Sequence, residues 1–311
     1  MTPTGSARTT TGVGMWDARM GAGDMTAGET ATRHLRIRSA IPWLVGVILL
    51  VANLLILRAT DWTMLTATPG ADWQIFVESS RRAFDGDLYA VEADYAYRYS
   101  PFVAYAFTIV QHIGPDAWRI AHVAALGLIP DRRIAVAALI FWPFWFDLAA
   151  GNVMTFVLVM GAAALAGSRW GIAGFLAMSL LIPRPLMIPI MVWLLWKHPQ
   201  WRPRFAVMFA VHAVAVGLTG WAGPWLSALI GSGAEMDSVL NFGPSRIIGA
   251  LWLPIGALLA TVLTWRGQLG WASLAASPYW LPYYFLMPLL ELNRSGRRES
   301  FGAISSKTMS Q

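Results

Sequence analysis

The chain has 311 residues, of which 56% are hydrophobic and only 13% are charged. Soluble domains carry roughly 25% charged residues, so this composition excludes an ordinary soluble domain and predicts an integral membrane protein. There is no cysteine, which excludes disulfides, thiolate metal sites and cysteine nucleophiles. The net charge of +6 comes from basic residues scattered between apolar segments, a pattern that favours retention of Lys and Arg on the cytoplasmic side of a membrane over nucleic-acid binding.

The predicted organisation is one membrane domain between two polar tails. Residues 1–38 are rich in Thr, Gly, Ala and Met without a periodic apolar face, which predicts a disordered cytoplasmic tail. The membrane domain covers residues 39–293, and residues 294–311 form a second cytoplasmic tail. Three arginines precede the first span at 41–57, so the positive-inside rule places the N-terminus in the cytoplasm and the loop at 60–115 outside.

An amphipathic helix is predicted within this first external loop. Its apolar face would carry Trp73, Phe76, Val77, Ser80 and Phe84. The opposite face would carry Glu78, Arg81 and Arg82. This pattern is typical of a helix that lies in the membrane interface, and Gly86 is expected to end it.

The remaining apolar segments predict an all-α polytopic protein with about ten transmembrane helices and both termini in the cytoplasm. The predicted spans are 118–129, 134–149, 153–166, 171–182, 186–196, 205–221, 247–265 and two short limbs within 269–292. The segment 99–113 either dips into the outer leaflet or spans it, and a second external loop is expected at 222–245. Several spans are shorter than the roughly 20 residues that a perpendicular helix needs, which favours broken helices around a protein cavity that opens to the outside.

Asp72 is the leading candidate for chemistry. A fixed carboxylate on the external side could remove the proton from an attacking hydroxyl group as a general base. The alternative is structural, because an aspartate at the start of a helix can cap its free backbone N–H groups.

A second candidate is the run Tyr97-Ala-Tyr99 with Arg98 between the tyrosines. Aromatic faces stack on sugar rings, and an arginine binds phosphate through two parallel hydrogen bonds. An aromatic belt at the membrane interface would leave the same pattern.

Arg184 lies between two prolines and two apolar limbs. An ionisable residue in such a place indicates function by default, because leaving it unpaired in hydrocarbon costs several kcal/mol; snorkelling to the interface is the competing interpretation. Asn152 follows Gly151 on the same predicted outer side. The sequence contains no HExxH, no Walker loop and no GxGxxG before a helix, and Asp72 is not part of a DxD triplet, so neither a protein-bound metal nor a nucleotide site is predicted.

These motifs, taken in order, resemble a known family. The motifs are Asp72-Trp-Gln-Ile-Phe, Gly86-Asp-Leu-Tyr, Tyr97-Arg-Tyr-Ser-Pro, Gly151-Asn152 and Arg184-Pro185. Their order and their sides of the membrane are similar to those of the polyprenol-phosphate-sugar-dependent GT-C glycosyltransferases. The closest similarity is to the bacterial glycosyltransferase family 87, with a more distant one to the GPI mannosyltransferase I family. The chain is short for this group and has Arg where Lys is commoner before the proline.

The resemblance implies a GT-C fold with interfacial helices in the first external loop and a site that faces outward. It implies that Asp72 is the catalytic base and that Arg184, with Arg98 or Arg246, binds the donor phosphate. Sugar or lipid contacts would come from Tyr97, Tyr99, Asn152, Asn241 and Tyr283. The segment 277–284 resembles a late Ser-Pro/Tyr segment of the family, which implies a place at the mouth of the active site.

The function that follows is inverting transfer of a sugar, with mannose expected, from a polyprenyl phosphate to an extracytoplasmic lipid or glycan acceptor at the plasma (inner) membrane. The lipid donor is then a co-substrate, and no cofactor, metal or nucleic acid is expected. Two alternatives stay open: a flippase or small-solute transporter, and a non-catalytic GT-C-like subunit. The sequence leaves the oligomeric state undetermined.

Overall fold

The computed structural model describes residues 51, 70–89, 97–231, 236, 238 and 240–293. These residues form helices and no strand, which confirms the all-α class. The predictions for both tails, and for the first span apart from Val51, lie outside the described residues.

Thirteen α-helices and four 3₁₀ helices run through the described part of the chain. The α-helices are α1 (Ala71–Asp85), α2 (Pro101–Val110), α3 (Gly114–Leu126), α4 (Arg132–Ile140), α5 (Trp142–Ala150), α6 (Met154–Leu165), α7 (Arg169–Leu181), α8 (Ile188–Lys197), α9 (Trp201–Leu218), α10 (Ala222–Ile230), α11 (Ser245–Ile248), α12 (Trp252–Trp265) and α13 (Leu269–Ala276). The 3₁₀ helices are Gln111–Ile113, Pro185–Met187, Gly249–Leu251 and Pro282–Leu292.

Within the described residues, one helical stretch is long and apolar enough to cross a membrane by itself. It is Ser245–Trp265, which joins α11, a 3₁₀ turn and α12. Two bent pairs would raise the number to three if each pair were a single span: α4 with α5, and α9 with α10. The helices α6 and α7 and the stretch Pro185–Lys197 are apolar but shorter. The fold is therefore that of a helical protein with membrane-span candidates, most of its apolar helices being short or broken.

Two predicted elements differ from the structure at helix breaks. The single span predicted at 134–149 is two helices, α4 and α5, bent by 76°. Phe141 adopts an extended conformation between them, and Pro143 has no backbone N–H with which to continue the helix. The loop predicted at 222–245 contains α10, which turns by 109° from α9.

Helix α1 has the amphipathic character that the sequence predicts. Trp73, Phe76 and Ser80 are buried, and Gly86 ends the helix in the left-handed region at φ 86°. Phe84, eleven residues after Trp73, also falls on the predicted face, but its side chain is 72% exposed. The neighbouring Ala83 is buried.

The core lies where α6, α7, α13 and the last 3₁₀ helix pack together. Val157, Phe175 and Leu286 are fully buried there. A side chain at Gly171 would lie 2.4 Å from the backbone N of Ala164, so α6 and α7 approach backbone to backbone. Small residues permit such contacts between membrane helices.

Candidate functional site

Asp72 lies in the first turn of α1, but it does not cap the helix. The N-cap is Gly70, without a side-chain hydrogen bond to the free N–H groups, so the capping interpretation of Asp72 is wrong. Instead, the Asp72 carboxylate accepts a hydrogen bond from the amide of Asn152, with 2.9 Å between Oδ2 and Nδ2. These two residues are 80 positions apart in the chain, and both belong to the predicted site.

Burial sets the acidity of Asp72. The side chain keeps part of its accessible surface, yet protein surrounds it closely enough that desolvation raises its pKa to about 6. The hydrogen bond from Asn152 lowers the pKa, the carboxylate of Asp147 raises it and the positive charge of Arg184 lowers it. An aspartate with a pKa near 6 is ionised at neutral pH and is a stronger base than an ordinary aspartate.

The amide of Asn152 has one orientation that satisfies both of its neighbours. Its Oδ1 accepts a hydrogen bond from the backbone N–H of Val153 at 2.6 Å. The Nδ2 group therefore faces Asp72, and because an amide nitrogen only donates, the carboxylate must present an acceptor to it. Asn152 is 1% exposed, so this hydrogen bond is shielded from water.

Two glycines allow α1 to approach the turn that carries Asn152. A Cβ atom at Gly70 would lie 2.0 Å from the backbone oxygen of Ala149, and one at Gly151 would lie 2.9 Å from the Cβ of Trp73. Gly151 also has a φ of 74°, in the left-handed region that glycine adopts without steric cost. The start of α1 is thus in backbone contact with the end of α5.

The segment Tyr97–Ser100 contributes further side chains to the site and contacts the end of α7. The backbone N of Ser100 donates to the oxygen of Leu181, at the end of α7, over 2.9 Å. Tyr97 is buried, and its hydroxyl group donates to the oxygen of Ser100 at 2.8 Å. Tyr99 is 7% exposed, and the charges of both Asp72 and Arg184 act on its hydroxyl group.

Arg184 lies above this tyrosine. Its guanidinium carbon is 5.1 Å from the centre of the Tyr99 ring, within the distance of a cation–π interaction. Its Nη1 group donates to the hydroxyl of Tyr279 at 2.6 Å. Arg98 is also buried, and its pKa is lowered by burial and by the charge of Arg184, while Tyr279 acts to raise it. Two of the three predicted phosphate-binding arginines therefore share one tyrosine.

Tyr283 completes the cluster from the start of the last 3₁₀ helix. It is 7% exposed, and its ring lies 6.0 Å from Phe146 and 5.3 Å from Tyr284. The charge of Asp72 acts on its hydroxyl group, as does that of Arg184. The structure thus brings together seven of the nine predicted site residues: Asp72, Tyr97, Arg98, Tyr99, Asn152, Arg184 and Tyr283.

The other two predicted residues lie in a different environment. Arg246 is exposed on α11. Asn241 is fully buried, and its amide connects two loops. Its Oδ1 accepts from the backbone N of Gly243 at 2.8 Å and of Trp280 at 2.9 Å. A structural role therefore accounts for the hydrogen bonds of Asn241.

Four residues of this region were not predicted as site residues. Tyr279 and Tyr284 surround Arg184, with ring centres 5.9 Å apart. His122 and Asp147 are fully buried behind Asn152. The segment 277–284, which carries the first pair, was expected at the mouth of the site without a role for either tyrosine, whereas a lone histidine carries no such signal.

Within the described parts of the chain, no three His, Cys, Asp or Glu side chains come together as a metal site. Comparisons with known protein families, with curated proteins and with solved structures found no match. The site combines a carboxylate able to accept a proton, the guanidinium groups of the buried Arg98 and the half-buried Arg184, which suit a phosphate, and several tyrosine rings suited to a sugar.

Proposed function

We propose that this chain is an inverting glycosyltransferase that moves a sugar from a polyprenyl phosphate to a lipid or glycan acceptor at the extracytoplasmic face of the plasma (inner) membrane. Mannose is the expected sugar. The acceptor hydroxyl group would lose its proton to Asp72 while its oxygen attacks the anomeric carbon. The bond from that carbon to the phosphate oxygen would break, and the lipid phosphate would leave with the bonding electron pair.

The observation that carries this proposal is that Arg184 lies over the ring of Tyr99, on whose hydroxyl group the charge of Asp72 also acts. The charge of Arg184 acts on the carboxylate, and Arg184 is held by Tyr279 and by the face of Tyr99. A base and a cation at one site suit a reaction in which a proton is taken up on one side and negative charge develops on the other. The tyrosines supply faces on which a sugar ring can stack.

The arginine pair suits a lipid phosphate better than a neutral ligand. Arg98 and Arg184 both interact with the side chain of Tyr279. Two positive charges therefore lie near one another. Charges of like sign repel at short distance, and an anion between them would relieve that repulsion. A departing phosphate is such an anion, and its interaction with the arginines strengthens as its charge grows.

The proposed membrane arrangement is the one implied by the basic residues: about ten spans, both termini in the cytoplasm and the site outside. The short and broken apolar helices suit a cavity that opens to the outside, because they are tolerated where protein or water covers their ends. The last two limbs are separated by the interval 277–281.

The test is sugar transfer by the purified protein in lipid nanodiscs. Radiolabelled polyprenyl-phosphate-mannose is supplied with a crude pool of lipid acceptors, and labelled product is counted. Asp72→Asn keeps the size of the side chain but removes the base, so we expect a rate roughly 10²–10⁴-fold lower. Asp116→Asn is the matched control, because Asp116 is 85% exposed and pairs only with the neighbouring Arg119 among the described contacts.

Three outcomes would contradict the proposal. The first is an Asp72→Asn variant that transfers sugar at the parental rate. The second is a parental protein that moves the lipid or the sugar across the bilayer without breaking the bond to phosphate, as a flippase or transporter would. The third is a parental protein that binds the donor but transfers nothing, as a non-catalytic subunit would.

A further inference from the structure

The ring of His122 lies between two backbone carbonyl oxygens. Its Nδ1 is 2.8 Å from the oxygen of Trp118, and its Nε2 is 2.6 Å from the oxygen of Asn152. The ring is fully buried and packs against Trp118 and Phe156, with centre distances of 5.3 and 4.7 Å. Both contacts are short enough to be hydrogen bonds.

The protons in these two contacts must come from the histidine. A carbonyl oxygen only accepts, and a neutral imidazole has a single N–H group. Two donated hydrogen bonds therefore require a proton on each ring nitrogen, which makes His122 an imidazolium ion. A buried charge needs a counter-charge, and the carboxylate of Asp147 supplies one, with 3.8 Å between its Oδ2 and the Nε2 of His122.

Three hydrogen bonds hold the carboxylate of Asp147 in place. Its carboxylate accepts hydrogen bonds from the backbone N–H groups of Met154 and Thr155 and from the Thr155 hydroxyl group, the last at 2.6 Å. The pair therefore joins α3, the end of α5 and the start of α6. Asn152 lies within this joined region.

We propose that His122 is a positioning residue for Asp72: as an imidazolium paired with Asp147, it holds the backbone of Asn152 so that the Asn152 amide orients the Asp72 carboxylate. The role as a positioning residue in catalysis rests on the function proposed above. The arrangement itself rests only on the hydrogen bonds of His122, Asn152 and Asp72.

The charged and titratable groups that face this arrangement can be named. Asp72 is acted on by Asn152, Asp147 and Arg184, and its own charge acts on Tyr99 and Tyr283. His122 is faced by Asp147. Removing the hydrogen bond from Asn152 would remove a stabilising partner of the ionised carboxylate, so the titration of Asp72 would move to higher pH.

Two substitutions separate the two hydrogen bonds of His122. The amide nitrogen of Gln reaches about where Nε2 lies, and that of Asn about where Nδ1 lies. His122→Gln therefore keeps a donor toward Asn152, whereas His122→Asn keeps one toward Trp118. Both variants are uncharged polar amides in the same buried place, so a merely structural role would affect them similarly.

The first measurement needs no activity. Nitrogen-15 spectra of the histidine-labelled protein in nanodiscs at neutral pH should show one histidine with both ring nitrogens protonated, and its signal should vanish in His122→Gln. Carbon-13 spectra of labelled aspartates, assigned with Asp72→Asn, should show the Asp72 titration about one pH unit higher in His122→Asn than in His122→Gln. A neutral His122, or equal Asp72 titrations in the two variants, would overturn the inference.

The second measurement uses transfer kinetics. We expect His122→Asn to lower kcat about tenfold with KM for the lipid donor changed less than twofold, and His122→Gln to restore most of kcat. Equal kcat values in the two variants would overturn the positioning role. If the parental protein transfers no sugar, the proposed function fails, while the two spectroscopic results still decide the arrangement around His122.

Discussion

Replacing Gly70 with alanine should separate α1 from α5 and move the carboxylate of Asp72, the proposed base. Gly70 is the N-cap of α1, two residues before Asp72, with φ −63° and ψ 157°. Any residue can adopt this conformation, so the substitution adds no backbone strain. What it adds is a methyl group pointing at the chain that ends α5.

The size of the effect follows from the contact distances. The new Cβ would lie 2.0 Å from the backbone oxygen of Ala149 and 2.7 Å from the carbonyl carbon of Ala150, whereas real Cβ contacts essentially never fall below 3.0 Å. The neighbours are backbone atoms and cannot rotate away, so α1 must retreat by about 1 Å, the difference between 3.0 and 2.0 Å. A misplacement of about 1 Å can cost roughly 10²-fold in rate.

The assay is sugar transfer at saturating donor, with thermal unfolding of the same sample measured alongside. We expect Gly70→Ala to lose roughly 10²-fold in kcat. Gly217→Ala is the matched control, because nothing lies within 4 Å of its Cβ position and alanine favours a helix interior such as that of α9. Parental kcat and parental thermal stability in Gly70→Ala would refute the argument that backbone contact between α1 and α5 places Asp72.

Activity should fall about tenfold per pH unit below about pH 6, because Asp72 must be ionised to accept a proton and its pKa is about 6. Stability from this group should rise over the same fall in pH, since its folded-state pKa lies above its ordinary value, so a parallel loss of folded protein would contradict the assignment. Arg184→Lys should keep part of the turnover and Arg184→Met should lose most of it, measured at saturating lipid donor, with the exposed Arg266→Met as a control. Equal turnover in all three variants would show that Arg184 only snorkels. Cysteine placed at the exposed Asp87 should react with an impermeant thiol reagent in intact cells, whereas cysteine at the exposed Ala166 should not. The opposite labelling would reverse the proposed topology.

Much of the local helical structure was predictable because its signals are local. The face of α1 follows from apolar spacing, and its end follows from Gly86, whose φ of 86° suits glycine. The exposure of Phe84 was not predictable, because the helical period gives the face of a residue but not what packs over it. Phe84 packs edge-on against Tyr105 of α2 at 5.7 Å and stays mostly exposed.

The break between α4 and α5 was not predicted, although Pro143 was visible. By hydropathy alone, residues 134–149 form one apolar segment. Hydropathy does not show whether a proline lies at the start of a helix or inside one. The structure resolves the ambiguity at Phe141, whose extended backbone stops α4 before the proline begins α5.

The site was predictable only in part, for a physical reason. Asp72 and Arg184 stand out in the sequence because a charge among apolar residues is costly and demands an explanation. Tyr279, which accepts a hydrogen bond from Arg184, lies 95 positions away in the chain. His122 contacts Asn152 from 30 positions away, and no spacing rule links them. Their roles depend on packing between helices.

The site lies where helices stop. Three breaks supply it: the turn at Gly151–Asn152 between α5 and α6, the Pro-flanked Arg184 after α7, and the interval 277–281 after α13. At each break the backbone loses its helical hydrogen bonds, and inside a membrane protein every such group needs a partner.

Those partners are side chains and backbone from other segments. Trp118 and His122 donate to the oxygens of Gly151 and Asn152 at 3.0 and 2.6 Å, and Trp252 donates to that of Ser277 at 2.9 Å. The breaks in the helices thus bring polar side chains and backbone groups together in one region. The free-energy cost of burying the Asp72 carboxylate and the Arg184 guanidinium group is lower there than along an unbroken helix, because the surroundings are already polar. The short, interrupted helices and the proposed chemistry therefore have the same physical cause.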